Sequence, residues 1–202
     1  MALPRFASGA ADATHQVVSE GRNRAVFLDR DGVLTVPEFR NGRSYAPRRL
    51  EDFRLYDGAV EAARRLKGAG FHLIVVTNQP DVGRGEIPAE VIAEMHRRLA
   101  AALPLNAIEA CYHTREDGCD CRKPRPGMLR RAAARFAIDC RGSFMIGDRA
   151  SDVAAGRAVG CRTIFIDLGY VDEPRPEAAD FTVSSLGEAA AIVLRAAGAA
   201  AD

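Results

Sequence analysis

Two aspartates one residue apart, Asp29 and Asp31, end the apolar run Ala25-Val26-Phe27-Leu28 and are followed at once by Gly32-Val33. On an extended backbone, residues two apart project to the same side, so both carboxylates can address one centre while Arg30 points elsewhere. Gly32 lets the chain turn away immediately. Two like charges this close repel unless a divalent cation neutralises them or one of them holds a proton. Either remedy suits phosphoryl transfer, in which one carboxylate attacks phosphorus beside a magnesium ion and the other handles the leaving group's proton. Taken alone, D-x-D-G reads equally as a solvated turn after a buried strand.

Matching ingredients recur downstream. Thr77-Asn78 follows the apolar run 71–76, Lys123 lies in the loop Arg122-Lys123-Pro124, and Gly147-Asp148-Arg149 follows the run 143–146. In an open parallel sheet, ligands bind beyond the carboxyl ends of the strands. A hydroxyl, an ammonium and three carboxylates on one such rim compose a Mg2+ and phosphate site. Singly, Thr77 reads as a cap, Lys123 as a surface lysine and Asp148 as an N-cap. Their shared topological position favours the site.

A second cluster suggests a different metal. Cys111, His113, Cys119 and Cys121 place three of the five cysteines and one histidine within eleven positions. Three sulfurs and an imidazole are the ligand set of a closed, tetrahedral structural Zn2+ site, and a Cys119–Cys121 disulfide would close a very small, strained ring. The competing reading is buried free thiols beside an exposed histidine. A structural zinc would convert a long loop into a fixed mount for Arg122 and Lys123.

Elements able to position these groups are legible in the patterning. Apolar runs at 25–28, 71–76, 107–112, 143–146 and 163–166 predict strands separated by helices. The alternation specifies an α/β fold, a Rossmann-like parallel sheet sandwiched by helices. Helical spacing links Val60, Ala63, Leu66 and Lys67, with Gly68 and Gly70 closing that segment. A second stripe comprises Val91, Ile92, Met95 and Leu99 after Pro88. Further helices are expected from Pro126-Gly127 to about 136, from Asp148 to near Gly160, and over 186–197 against a sheet edge or face. The polar segment 34–57 leaves beside Asp31 and is expected to form a small flap or rim. Residues 1–22 read as a loose tail and 23–202 as one domain with no large cap domain.

With 28 basic and 27 acidic side chains the formal net charge is +1, so global charge argues against nucleic acid or a membrane surface as partner. Without a signal-peptide core or an apolar span, a cytoplasmic protein is expected. A monomer is expected.

The pieces Phe27-Leu28-Asp29-Arg30-Asp31-Gly32, Val76-Thr77-Asn78-Gln79, Cys121-Arg122-Lys123-Pro124 and Ile146-Gly147-Asp148-Arg149-Ala150-Ser151-Asp152 resemble, in order and spacing, the four motifs of haloacid-dehalogenase-type phosphatases. The resemblance covers residues 24 to about 170. It implies that Asp29 is the nucleophile forming an aspartyl-phosphate and that Asp31 is first the acid for the leaving oxygen, then the base for water. It further implies that Thr77 and Lys123 hold phosphoryl oxygens and that Asp29, Asp148 and the Asp31 backbone carbonyl bind Mg2+. Asp152 would support the loop.

The cysteine-bearing loop running into Arg-Lys-Pro narrows the resemblance to two families. The stretch Cys121-Arg122-Lys123-Pro124-Arg125-Pro126-Gly127-Met128, and Thr77-Asn78-Gln79 followed by Gly83-Arg84-Gly85, resemble D-glycero-D-manno-heptose 1,7-bisphosphate phosphatases. The short loop from His113 to Cys119 and the stretch Gly147–Asp152 look closer to histidinol-phosphate phosphatases. A sugar bisphosphate needs a second anion site, which Arg122, Arg125, Arg40 and Arg43 could supply, with Asn78 and Arg149 as further substrate contacts. Histidinol phosphate carries a cationic amine, for which Glu38 would be useful. Arginines outnumber acids around the presumed entrance, which favours removal of the heptose 7-phosphate. A non-catalytic zinc-knuckle binding module is the outside alternative, and neutral net charge without an aromatic-studded basic face argues against it.

Overall fold

Strand β1 (Ala25–Leu28) is buried on both faces, and for that reason its sequence is an unbroken apolar run instead of an alternating one. The chain continues through a hairpin, β2 (Glu38–Arg40) and β3 (Arg43–Tyr45), to α1 (Ala59–Gly68), β4 (His72–Asn78), α2 (Pro80–Gly83), α3 (Ala89–Ala102) and β5 (Ala107–Cys111). It then forms α4 (Gly127–Phe136), β6 (Phe144–Gly147), α5 (Ala150–Ala158), β7 (Arg162–Ile166), β8 (Phe181–Val183) and α6 (Leu186–Gly198). This computed structural model describes residues 23–40, 43–171 and 173–198. The tail expected over 1–22 and the side chain of Arg40 lie outside the described residues.

Six parallel strands stand in the order β5-β4-β1-β6-β7-β8. The chain builds outward from β1 on one side, then crosses over and builds outward on the other. That reversal leaves a crevice beyond the carboxyl ends of β1 and β6, where Leu28 pairs with Ile146. Alternate residues of the central strands feed two apolar layers. Val26, Leu28, Leu73 and Val75 pack with Leu66 of α1, Leu99 of α3 and Val193 of α6. Ala25, Phe27, Ile74 and Met145 pack with Met128 and Leu129 of α4 and Ala155 of α5. Burying each large side chain contributes roughly 1.5–3 kcal/mol, so both layers are needed to hold the sheet.

Several boundaries differ from the sequence reading. The strand expected over 71–76 runs two residues further, because Thr77 pairs with Ala110 and Asn78 with Cys111, so Thr77 is carried on the strand itself. Within 34–57 the hairpin β2–β3 forms from two three-residue strands, too short to leave a period-2 pattern. The same brevity hides β8, which adds a sixth strand. A short helix, α2, follows Gln79, with Pro80 in its first turn. No described helix is long and apolar enough to cross a membrane.

Candidate active site

Backbone pairing brings the acids together. Asp29 donates its N–H to the Ile146 carbonyl at 2.9 Å, which extends the β1–β6 ladder by one residue. The residues leaving those two strands therefore emerge side by side. Asp29, Asp148 and Asp152, the last from the first turn of α5, each bring a carboxylate oxygen within 4.8 Å of the others. All three side chains are buried. Two glycines make the approach possible: a Cβ on Gly147 would lie 2.2 Å from Asp152 Cβ, and one on Gly32 would lie 2.0 Å from Asp148 Oδ2. Gly32 also has φ of +90°, which side-chain-bearing residues rarely adopt.

Crowding like charges in a dry place is unfavourable, and the acids register it. Burial, then Asp29 and Asp152, push the Asp148 carboxyl well above the ordinary carboxylate range. Burial pushes Asp152 up to about 6, with Lys123 opposing and Asp29 reinforcing the rise. Asp148 Oδ1 is buried without a hydrogen-bond partner among the described residues. A bare buried oxygen beside two further carboxylates fits a hard divalent cation such as Mg2+, whose ligands are oxygens.

Lys123 supplies the counter-charge that is present. Its ammonium is buried at 2.8 Å from Asp29 Oδ1, 2.6 Å from Asp152 Oδ1 and 2.7 Å from the Val76 carbonyl. Burial alone would lower its pKa, but Asp152 and Asp29 reverse that and hold it above the ordinary lysine value. Asn78 fixes the peptide that carries it: the Lys123 N–H donates to Asn78 Oδ1 at 3.0 Å, and Asn78 Nδ2 donates to the Lys123 carbonyl at 3.1 Å. Both polar groups of Asn78, expected to touch substrate, are engaged there.

Asp31 occupies a separate setting. The chain leaves extended conformation after β1, with Leu34 and Thr35 donating back to the Arg30 carbonyl, so strand alternation no longer governs Arg30. Instead of pointing elsewhere, Arg30 folds back, fully buried, and its guanidinium lies 2.8 Å from Asp31 Oδ2. Thr35 donates to Asp31 Oδ1 at 2.9 Å and Gln79 Nε2 to Oδ2 at 2.8 Å. The same Gln79 amide donates to the Thr77 hydroxyl at 2.9 Å, tying Thr77 to Asp31. The Asp31 carboxylate stands outside the group formed by Asp29, Asp148 and Asp152.

At the end of β5 the four expected zinc ligands converge. Cys121 Sγ lies 3.2 Å from Cys111 Sγ, 3.3 Å from Cys119 Sγ and 3.2 Å from His113 Nδ1, and Cys111 Sγ lies 3.7 Å from Cys119 Sγ. These separations are far longer than a disulfide bond of about 2.05 Å. They approach the edges, about 3.8 Å, of a tetrahedron built on Zn–S bonds of about 2.3 Å, so the cluster could hold zinc. Burial opposes the Cys119 thiolate, but hydrogen bonds from Cys121 and the Arg122 N–H outweigh it and bring that thiol down to about 7. The loop is also stitched to α4. Gly127 donates to the Asp120 carbonyl at 3.0 Å, an approach a Cβ on Gly127 would block at 2.6 Å.

The HAD-hydrolase-like family model matches residues 120–189. The D-glycero-beta-D-manno-heptose-1,7-bisphosphate 7-phosphatase of Pseudomonas aeruginosa is 34% identical over 161 residues, covering 75% of this chain and 88% of its own. That of Escherichia coli K12 is 36% identical over 178 residues, covering 81% and 90%. The chain belongs to this phosphatase family. Among solved structures, the D,D-heptose 1,7-bisphosphate phosphatase from B. bronchiseptica, complexed with magnesium and phosphate, superposes with a TM-score of 0.72 at 28% identity, covering 85% of this chain and 98% of its own.

The phosphatase presents these groups to a cleft of about 1220 Å³ lined by Asp29, Asp31, Thr77, Lys123, Arg115 and Arg122 of the cysteine-bearing loop, and the hairpin's Arg43 and Ser44. Two arginines expected to meet substrate also brace its walls. Arg125 donates to the carbonyls of Cys119, at 2.7 Å, and Gly118. Arg149 donates to the Ser44 carbonyl at 3.1 Å and pairs with Glu173, so it links the hairpin to the loop after β7. Arg122 reaches the His113 carbonyl at 3.3 Å and lines the cleft.

Two site residues of the phosphatase escaped the sequence reading. Gln79 had a signal, since it lies two residues beyond Thr77 in the same motif. Tyr170 had none: it follows Asp148 by 22 positions in an irregular loop, yet its hydroxyl donates to Asp148 Oδ2 at 2.6 Å.

Proposed function

We propose that this phosphatase removes the 7-phosphate of D-glycero-D-manno-heptose 1,7-bisphosphate through an aspartyl-phosphate on Asp29. The observation that carries the reading is the meeting of Asp29, Asp148 and Asp152 around a buried ammonium, below cleft walls that bear arginines. The relatives named above, acting on the same sugar bisphosphate, support the substrate.

Asp29 attacks phosphorus with a carboxylate oxygen while Lys123, held between Asp29 and Asp152, faces the phosphoryl oxygens together with Thr77. The phosphoryl group keeps its negative charge throughout, so the attacking carboxylate and the group it attacks repel until cations offset them. Mg2+, held by Asp29, Asp148 and the Asp31 carbonyl with Asp152 close by, would supply the remaining positive charge. Asp31 gives a proton to the leaving oxygen and afterwards takes one from the water that hydrolyses the acyl phosphate. Both Asp31 oxygens accept hydrogen bonds from Arg30, Thr35 or Gln79, so proton delivery requires one of those donors to be exchanged. Arg122, Arg43 and Arg115 line the wall, which supports a part for them in meeting the second phosphate.

Zinc at Cys111, His113, Cys119 and Cys121 has a structural part. With Cys111, His113, Cys119 and Cys121 as its four ligands it would have no open position to activate water, and it would pin the loop that ends in Arg122-Lys123. Phosphate release measured with both anomers of the heptose bisphosphate and with histidinol phosphate tests the reading. Activity that needs Mg2+, is lost with EDTA and prefers the sugar is expected. A preference for histidinol phosphate overturns the substrate, and absence of release from every ester overturns the reaction.

A further inference from the structure

The two oxygens of Asp148 have unlike surroundings. Oδ2 accepts from the Tyr170 hydroxyl at 2.6 Å and faces Gly32, where even a Cβ would come within 2.0 Å. Oδ1 is buried and bare among the described residues. A hydroxyl that donates to one oxygen restrains the rotation of the carboxylate and leaves the other oxygen without a protein donor among the described residues.

Tyr170 is itself held. Its ring packs against Phe39 of the hairpin, with centroids 5.8 Å apart, and the Arg149 guanidinium lies 5.6 Å from the ring centre. The donor is therefore carried on a side chain braced from two directions, one of them the flap. Nothing in the proposed chemistry uses Tyr170 directly, and it adds no charge to the site.

We infer that Tyr170 is a positioning residue for the divalent cation, whose hydroxyl holds Asp148 so that a single bare oxygen faces the ion. The inference rests on the cation site proposed at Asp29 and Asp148. Groups that orient a ligand without touching the metal are typically worth about 10–100-fold in metal affinity or activity. Arg149, Phe39 and the ring of Tyr170 would then make the flap part of the support for that ligand.

Tyr170→Phe keeps the ring and its packing and removes only the donor. Mg2+ affinity is measured by titration calorimetry, and Mn2+ binding by paramagnetic resonance, on wild-type protein, Tyr170→Phe and Asp148→Asn. Activity is followed in parallel as a function of Mg2+ concentration. The expected result is Mg2+ binding about 10–100-fold weaker in Tyr170→Phe, with the KM for the phosphate ester at saturating Mg2+ close to wild type. Wild-type Mg2+ affinity in Tyr170→Phe overturns the inference, whatever happens to the melting temperature. Wild-type protein that binds no Mg2+, or Asp148→Asn that binds it unchanged, overturns instead the cation site on which the inference stands.

Discussion

Lys123 and Asp29 face each other across 2.8 Å in a place nearly closed to water, with the ammonium also 2.6 Å from Asp152. The proposed nucleophile is thus held by a cation that arrives from a different part of the chain. Replacing one carboxylate oxygen by an amide leaves Lys123 its Asp152 and Val76 partners but removes the attacking group. Asp29→Asn is expected to lower phosphate release by at least about a thousandfold while circular dichroism and the melting transition remain those of a folded protein. Release at the wild-type rate would reassign the nucleophile.

Gly32 is irreplaceable for two separate reasons, its φ of +90° and the 2.0 Å that would separate a Cβ from Asp148 Oδ2. The left-handed backbone alone costs an alanine about 1–2 kcal/mol, and relief of the clash must displace Asp148. Gly32→Ala is therefore expected to lose at least about tenfold in activity and to raise the Mg2+ concentration for half-maximal rate. An alanine variant with unchanged Mg2+ dependence would show that Asp148 tolerates the shift.

The sulfur cluster predicts a metal content that can be weighed. Purified protein is expected to carry one zinc per chain, and Cys119→Ser to lose it along with several degrees of melting temperature, since metal binding contributes folding free energy. Rate should fall as well, because Arg122 and Lys123 follow Cys121 directly in the sequence. Full activity in zinc-free protein would detach the loop from catalysis.

His96 gives a pH dependence of stability. Burial, then the charge of Arg30, lower its pKa to about 4, with Asp31 opposing, and its Nε2 lies 3.2 Å from the Arg30 guanidinium. Folded His96 stays neutral where the unfolded chain, with an ordinary value near 6.5, already binds a proton. Its contribution is complete above about pH 6.5, falls as the pH drops toward about 4, and amounts to roughly 3 kcal/mol over that window. Urea midpoints at pH 7.5 and 5 should fall further for wild type than for His96→Gln. Equal falls would place the acid sensitivity elsewhere.

How much of this was legible beforehand depended on whether the signal was local. The strands of the central sheet, the helical stripes and the four ligands at Cys111, His113, Cys119 and Cys121 are written in short runs, and the structure brings those residues together. The convergence of Asp29 with Asp148 followed from one rule about strand ends in parallel sheets. What stayed hidden was set by contacts across the chain. The course of Arg30 depends on a turn that strand alternation does not describe, Asn78 spends its amide on a peptide 45 residues away, and Tyr170 reaches Asp148 from a loop without periodicity. Strands of three residues, β2, β3 and β8, are too brief to carry a pattern of their own.

Asp29 and Asp148 leave neighbouring strands, β1 and β6, whose spacing is a property of the peptide ladder, about 4.8 Å between backbones. The gauge of the pocket is consequently inherited from main-chain geometry. Insertions or exchanges in the hairpin or the cysteine-rich excursion would alter the cleft walls, while the separation of Asp29 and Asp148 keeps its width for as long as the two strands stay zipped.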